Sequence, residues 1–299
     1  KRVCSGNKHE DDALFDPQLE LTIMKLAEMF AESLPSSVIQ LYATVGAKET
    51  SSAAVFSIAV SAFSIAYSST TISMDYDTDP AKRLLSPSYY GYVPDTNRLQ
   101  VTILMTIMTF SHVLMKVLAC ALMLRLSDVW LMLYMGSDMT LYFVYKILRR
   151  DFRYWLKLEG IFGWIASVMI RFVIKNIVDF TLIVHFRHPF ELGGAYWSMN
   201  VVLNQAFCFL SVYLFKKHLS DAISDNINYG IDDPEADKKC VYITKNSTYV
   251  HHDAGIVCEA SVLEESIWFV VGSLFVLSMI SFGAFLLSIN RDYLWTFFD

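Results

Sequence analysis

The sequence predicts an all-α fold, a polytopic membrane helical bundle with about 6-7 spans and one Pro-broken or re-entrant helix. Three observations carry that prediction. Apolar residues make up 54% of the 299 residues. The stretches Ser51–Met74, Leu192–Phe215 and Ser266–Asn290 each hold 24 or 25 residues without an Asp, Glu, Lys, Arg or His, against the ~20 that a helix needs to cross hydrocarbon. Three more stretches have the length and carry only a few ionisable groups: Leu99–Leu124 with His112 and Lys116, Asp128–Leu148 with Asp138, and Gly160–Phe186 with Arg171, Lys175 and Asp179. A soluble core helix can be as apolar, but three such runs in one chain exceed ordinary helix lengths.

In order along the chain, residues 1–18 form a polar N-terminal segment. The chain starts at Lys1 without a methionine, so a piece of something longer is expected, and no secretory signal pattern is visible. Leu19–Val45 carries Lys25, Glu28 and Glu32 and is interrupted by Pro35, which removes a backbone donor and clashes with the preceding turn. Two short helices meeting at "ESLPSS" are expected, either crossing or re-entering the bilayer. The transmembrane bundle runs over 19–215, an extramembrane loop with a β-hairpin pattern over 216–264, and a final transmembrane helix and tail over 265–299.

Basic residues set the orientation. The loop Asp75–Arg98, the segment Lys146–Lys157 and the segment after Phe215 hold thirteen Lys and Arg between them, against Lys48, Arg125 and Arg187 in the other connections. The positive-inside rule puts the first set in the cytoplasm. Against it stand the sequon Asn246-Ser247-Thr248, a site for N-glycosylation, and the flanking Cys240 and Cys258, a disulfide candidate; both are lumenal or extracellular habits. With His251 and His252 these cysteines lack paired zinc-site spacing, so no metal is expected. Cys120 and Cys208 lie in apolar spans and read as packing residues.

The net charge of −6 sits mostly in Glu10–Glu20 and Asp221–Asp237. Lys146, Arg149, Arg150, Arg153 and Lys157, interleaved with Phe152, Tyr154 and Trp155, read as an interfacial anchor beside anionic headgroups, and nucleic acid has no further support as a partner. No catalytic Ser/His/Asp order, nucleophile elbow, phosphate-binding glycine loop or metal-protease helix is present, so no enzyme and no cofactor are expected.

The informative residues are charges at membrane depth. An ionised side chain at the bilayer centre costs ~3 kcal/mol on insertion scales, so such groups turn inward and pair. Arg171, Lys175 and Asp179 recur every fourth residue, a step of only about 40° around a helix, which puts them on one face. Lys25, Glu28 and Glu32 share a face, as do His112 and Lys116. With Asp138 they make a nearly balanced set, and a polar seam along the inside of the bundle is expected, with Arg171 and Lys175 answering acids on neighbouring helices. Such a seam either fixes helix register or gives a hydrophilic path to ions, protons or lipid headgroups, whose phosphate suits an Arg/Lys face.

The segment "FAESLPSSVIQLYATV", residues 30–45, resembles the E-S/T-x-P-Q-x-x-x-Q-x-Y segment of the XK-related family of membrane proteins, which includes phospholipid scramblases. Glu32, Ser33, Pro35, Gln40, Leu41 and Tyr42 fit, and Ser36 stands where the family has glutamine. The serine-rich span "FSIAVSAFSIAYSSTT" is similar to that family's next helix, so the match concentrates in residues 28–74. The resemblance implies a hydrophilic track for lipid headgroups, to which it carries Glu32 and Gln40. Membrane phospholipids are then the expected partners, with another membrane subunit or a second copy as further ones, and the plasma membrane or an endomembrane as the location. A scramblase-like protein predicts a polar groove open to lipid. A channel or transporter predicts a water-filled pore, though no filter or gating-charge pattern is present. A structural subunit predicts ion pairs sealed from lipid and an apolar surface covered by a partner.

Overall fold

The computed structural model describes residues 17–45, 51–85, 90–148, 160–183, 194–229, 240–244, 247–251 and 256–289, with some side chains inside these helices and strands, Arg171 among them, not described. Asn246, His252 and the basic stretch 149–157 lie outside the described residues, as do the side chains of Lys146, Cys240, His251 and Cys258. Helices dominate: α1 (Pro17–Glu28), α2 (Leu34–Val45), α3 (Ser52–Thr78), the short α4 (Pro80–Leu85), α5 (Arg98–Leu126), α6 (Asp128–Leu148), α7 (Gly160–Thr181), α8 (Gly194–Tyr229) and α9 (Ile256–Ser288). Strands β1 (Cys240–Thr244) and β2 (Ser247–His251) pair antiparallel, Cys240 opposite His251 and Thr244 opposite Ser247.

Among the described residues, four helices are long and apolar enough to cross a membrane: Ser52–Thr78, Arg98–Leu126, Met199–His218 and Ile267–Ser288. They cover the three uncharged runs and the His112/Lys116 run. α6 and α7 are helical over 21 and 22 residues but interrupted by ionised side chains. α8 continues past Phe215 through Tyr229, deep into the expected loop. No Gly or Pro interrupts the sequence between Gly194 and Tyr229, and Gly230 follows directly, the residue that most readily ends a helix.

The first element does not separate into the two helices expected: the backbone stays helical from Pro17 to Val45 and accommodates Pro35 with a π-turn. Between α1 and α2 the backbone makes a π-turn over Met29–Ser33, and Leu34 N–H reaches back to Met29 O. Pro35, the second residue of α2, follows this turn directly, and its missing N–H and its ring disturb the hydrogen-bond ladder at that point. The π-turn at "MFAES" overlaps the expected "ESLPSS" only at Glu32 and Ser33.

α5 is the axis of the bundle. It is enclosed by α2, α3, α6, α8 and α9, and 78% of its most apolar window is buried, against 22% for that of α9. Its Met115 and Leu122 share a core cluster with Tyr134, Cys208 and Val271, and its Val113 and Val117 share another with Ala62 and Ile65. α3 runs antiparallel to α5: Phe63 meets Phe110 edge-on at 6.4 Å, while Met74 packs with Val101 and Met105. The outer surfaces of α3 and α9 are lined by Phe56, Val60, Phe63, Phe269, Val276, Ile280 and Leu287, all exposed, as expected of helices whose solvent is hydrocarbon.

Candidate functional site

Because α5 is surrounded, its polar side chains end inside protein. His112 and Lys116 lie one turn apart on it and are both 1% exposed. Asp138 of α6 comes to Lys116 from one side, with its Oδ2 3.3 Å from Nζ. Asn204 of α8 comes from another and accepts a hydrogen bond from the same ammonium. Lys175 of α7 reaches the same Asp138 Oδ2 at 2.5 Å and pairs with Asp179 one turn further along its own helix. Asn200 donates to Asp179 Oδ1 at 2.8 Å, and Asn204 donates to the main-chain and side-chain oxygens of Asn200 at 2.9 and 3.0 Å. His112 Nε2 donates to the main-chain oxygen of Asp179 at 2.7 Å.

Two lysines and two aspartates thus meet as a neutral cluster drawn from α5, α6 and α7, and two asparagines of α8 close it. The side chains of Lys116, Asp138, Lys175 and Asp179 are 0%, 8%, 2% and 3% exposed. Aromatic rings finish the enclosure: Lys116 Nζ lies 5.6 Å from the Tyr134 ring centre and 5.4 Å from that of Phe180, and Lys175 Nζ lies 5.9 Å from Tyr142. Each cation faces a carboxylate and the negative face of a ring, which together offset the loss of water.

Comparisons with protein-family models, curated proteins and solved structures return no match. The reading of the site therefore stands on its geometry.

Of the residues expected in the seam, the structure brings together His112, Lys116, Asp138, Lys175 and Asp179. It does not bring in the first element. Glu28 and Glu32 are exposed on its outer side, and Lys25 is half-buried. They share a side, as their spacing requires, but the apolar packing of Met29 and Leu34 turns the opposite side of the element inward. The expected continuous seam is therefore corrected to a closed interior cluster with an outward acidic pair elsewhere. Gln40 is also apart: half-buried, it donates to Ser36 Oγ at 3.2 Å and accepts from Ser57 Oγ at 3.4 Å, tying α2 to α3. Cys120 and Cys208 are free and buried among apolar side chains. Among the described residues no group of His, Cys, Asp and Glu is arranged to hold a metal.

Sequence reasoning missed Asn200 and Asn204. Their signal is present, two amides one turn apart in an otherwise apolar span, but neutral amides do not stand out in a search for charges. It also missed Asp77, at the end of α3, whose carboxylate is fully buried. Asp77 Oδ1 accepts from the backbone N–H of Gly91 at 2.6 Å and of Tyr92 at 3.3 Å, and Oδ2 accepts from that of Val93 at 2.9 Å. Arg83 donates to Asp77 O at 2.7 Å and to Val93 O at 3.1 Å. Gly91 has φ 101°, the left-handed region that lets successive N–H groups converge on an anion. This latch joins the end of α3 to the start of α5 and so fixes the register of the two helices that frame His112. Beyond it, the guanidinium of Arg98 on exposed Asp95 holds that carboxyl below the usual range.

Proposed function

We propose that this chain moves phospholipids between membrane leaflets in the manner of a scramblase, and that the Lys116, Asp138, Lys175 and Asp179 cluster is its headgroup path in a closed state. On this reading α6, α7 and the first element also lie in the bilayer, giving the 6-7 spans expected. The observation that carries the proposal is the neutral cluster itself, whose four ionised side chains are at most 8% exposed. Packed apolar side chains of similar volume serve stability as well as buried ion pairs do, or better. Four such charges midway along their helices are therefore better accounted for by something polar that uses them, and two cations held by two replaceable anions suit a phosphate. The XK-related resemblance over residues 28–74 points the same way.

The seal around the cluster favours a second reading, in which the ion pairs fix helix register in a subunit of a larger membrane assembly. Reconstitution of the protein in liposomes with fluorescent phospholipid separates the two. If the cluster is a closed path, Asp138→Asn releases Lys116, leaves Lys175 with Asp179 alone and raises the scrambling rate, while Lys116→Gln with Lys175→Gln lowers it. If it only fixes register, neither the wild type nor any folded variant scrambles.

A further inference from the structure

The contacts in the charge cluster run as one chain of alternating sign, from Lys116 to Asp138, from Asp138 to Lys175 and from Lys175 to Asp179. Its two positive and two negative side chains cancel. α8 adds Asn200 and Asn204, which bring hydrogen bonds to the cluster and no charge. Three rings face the ammonium groups: Phe180 and Tyr134 lie 5.4 and 5.6 Å from Lys116 Nζ, and Tyr142 lies 5.9 Å from Lys175 Nζ. All four charged residues are at most 6% exposed, and a charge left without a counter-charge in such a place is strongly unfavourable. A ligand that enters the cluster is therefore favoured when it leaves the sum of charges at zero.

We infer that the cluster selects zwitterionic phospholipids over net-anionic ones, an inference that rests on the reading of the cluster as a headgroup path. A phosphocholine or phosphoethanolamine headgroup carries one negative and one positive charge, and so repeats the alternation already present among the side chains. Its phosphate suits the place that Asp138 Oδ2 holds between the two lysines, where it accepts charge-assisted hydrogen bonds from both. Its ammonium then meets the carboxylate that the phosphate has displaced. The rings that face an ammonium in the closed cluster suit a primary or a quaternary one equally. A phosphatidylglycerol headgroup fills the phosphate position as well but brings no cation, and leaves the enclosed site with a negative charge in excess. Because selection lies in the sum of charges, it has a signature: with Asp138 neutralised, the net-anionic headgroup becomes the one that balances the site.

Liposomes of one fixed composition, equal parts phosphatidylcholine and phosphatidylglycerol, test this with the full chain and a trace of either lipid labelled on its acyl chain. Bleaching of the outer leaflet by dithionite reads the rate of crossing. Phosphatidylcholine should cross at least ~10-fold faster than phosphatidylglycerol in the wild type. Asp138→Asn should lower that ratio by at least ~10-fold, and adding Lys116→Gln, which makes the site neutral again, should restore it. A ratio near one in the wild type, or a ratio that folded Asp138→Asn leaves unchanged, overturns the inference and leaves the lipid path standing. Movement of neither lipid sinks the path itself, and selection is then decided by the lipid that stays bound to the detergent-purified wild type, read by native mass spectrometry. Phosphatidylcholine retained in preference upholds it; phosphatidylglycerol retained as readily overturns it.

Discussion

Replacing Asp138 with leucine gives the sharpest test of the cluster. Among the described residues, the carboxylate is the only anion in contact with Lys116 and one of two in contact with Lys175, through one oxygen at 3.3 and 2.5 Å. Asp138→Leu keeps roughly the shape and leaves two ammonium groups facing the single carboxylate of Asp179, so the enclosed site goes from neutral to a net positive charge. Breaking a buried pair by removing one partner costs about 3–5 kcal/mol, most of it from the charge left uncompensated. Adding Lys116→Met restores neutrality, because Lys175 and Asp179 remain as an intact pair. The double variant should therefore recover at least about 2 kcal/mol of the single variant's loss, a coupling within the range for residues in one network. Thermal unfolding in detergent, followed by tryptophan fluorescence for the wild type, both single variants and the double, measures the cycle. A loss below about 1 kcal/mol for Asp138→Leu, or additive losses in the double, would refute the enclosure and charge balance described above.

The latch between α3 and α5 gives three further predictions. Asp77→Ala orphans the N–H groups of Gly91, Tyr92 and Val93 and should destabilise the protein by about 1–3 kcal/mol or more, seen as a lower melting temperature and faster proteolysis near residue 91. Gly91→Ala keeps those donors but forces a side chain into φ 101°, at a cost of about 1–2 kcal/mol in the same assay. The Asp95 carboxyl, held low by the Arg98 hydrogen bond, should titrate below an ordinary aspartate by NMR and return to the ordinary range in Arg98→Ala. Because its folded value is depressed, its small contribution to stability is present above the ordinary aspartate range and fades as pH falls through the folded value.

Helix positions were legible in the sequence because lipid demands length and apolarity, and Ser52–Thr78 and Ile267–Ser288 supply both. A disturbance near Pro35 was legible too, since proline removes a specific hydrogen bond, but the expected break into two helices was not found: a π-turn at Met29–Ser33 absorbs the proline within a continuous helix. Within the cluster, spacing put Lys175 and Asp179 on one face of one helix; that the two also pair with each other is added by the structure. That Asp138 would serve both lysines depends on how α6 and α7 lie against α5, which no local pattern encodes. Facing direction misled at Glu28 and Glu32: helical periodicity says which residues share a side, not whether that side looks inward. Asp77 was hidden for a different reason, since its partners are backbone N–H groups, to which the side chains of Tyr92 and Val93 give no clue.

If the cluster is a headgroup path, as proposed, the distribution of packing bears on how it opens. Among the described residues α3, α8 and α9 lie close along α5, whereas α6 approaches mainly α5, and α7 approaches α5 and α3 over short lengths. Helices in lipid gain little from apolar contact with one another, so polar contacts weigh more in holding α6 and α7 in place. Asp138 is the contribution of α6 to the cluster, and Lys175 and Asp179 are that of α7. A phosphate that displaced Asp138 from the two lysines would take over its charge and at the same time release α6 from α5. Binding and opening would then be one event, and the opened face would present Lys116, Asn200 and Asn204 to the lipid. This coupling makes a distinguishing demand: a disulfide between cysteines placed on facing positions of α5 and α6 should abolish scrambling even with every charge in place, and reduction should restore it. Undiminished scrambling in the cross-linked protein would place the lipid route elsewhere.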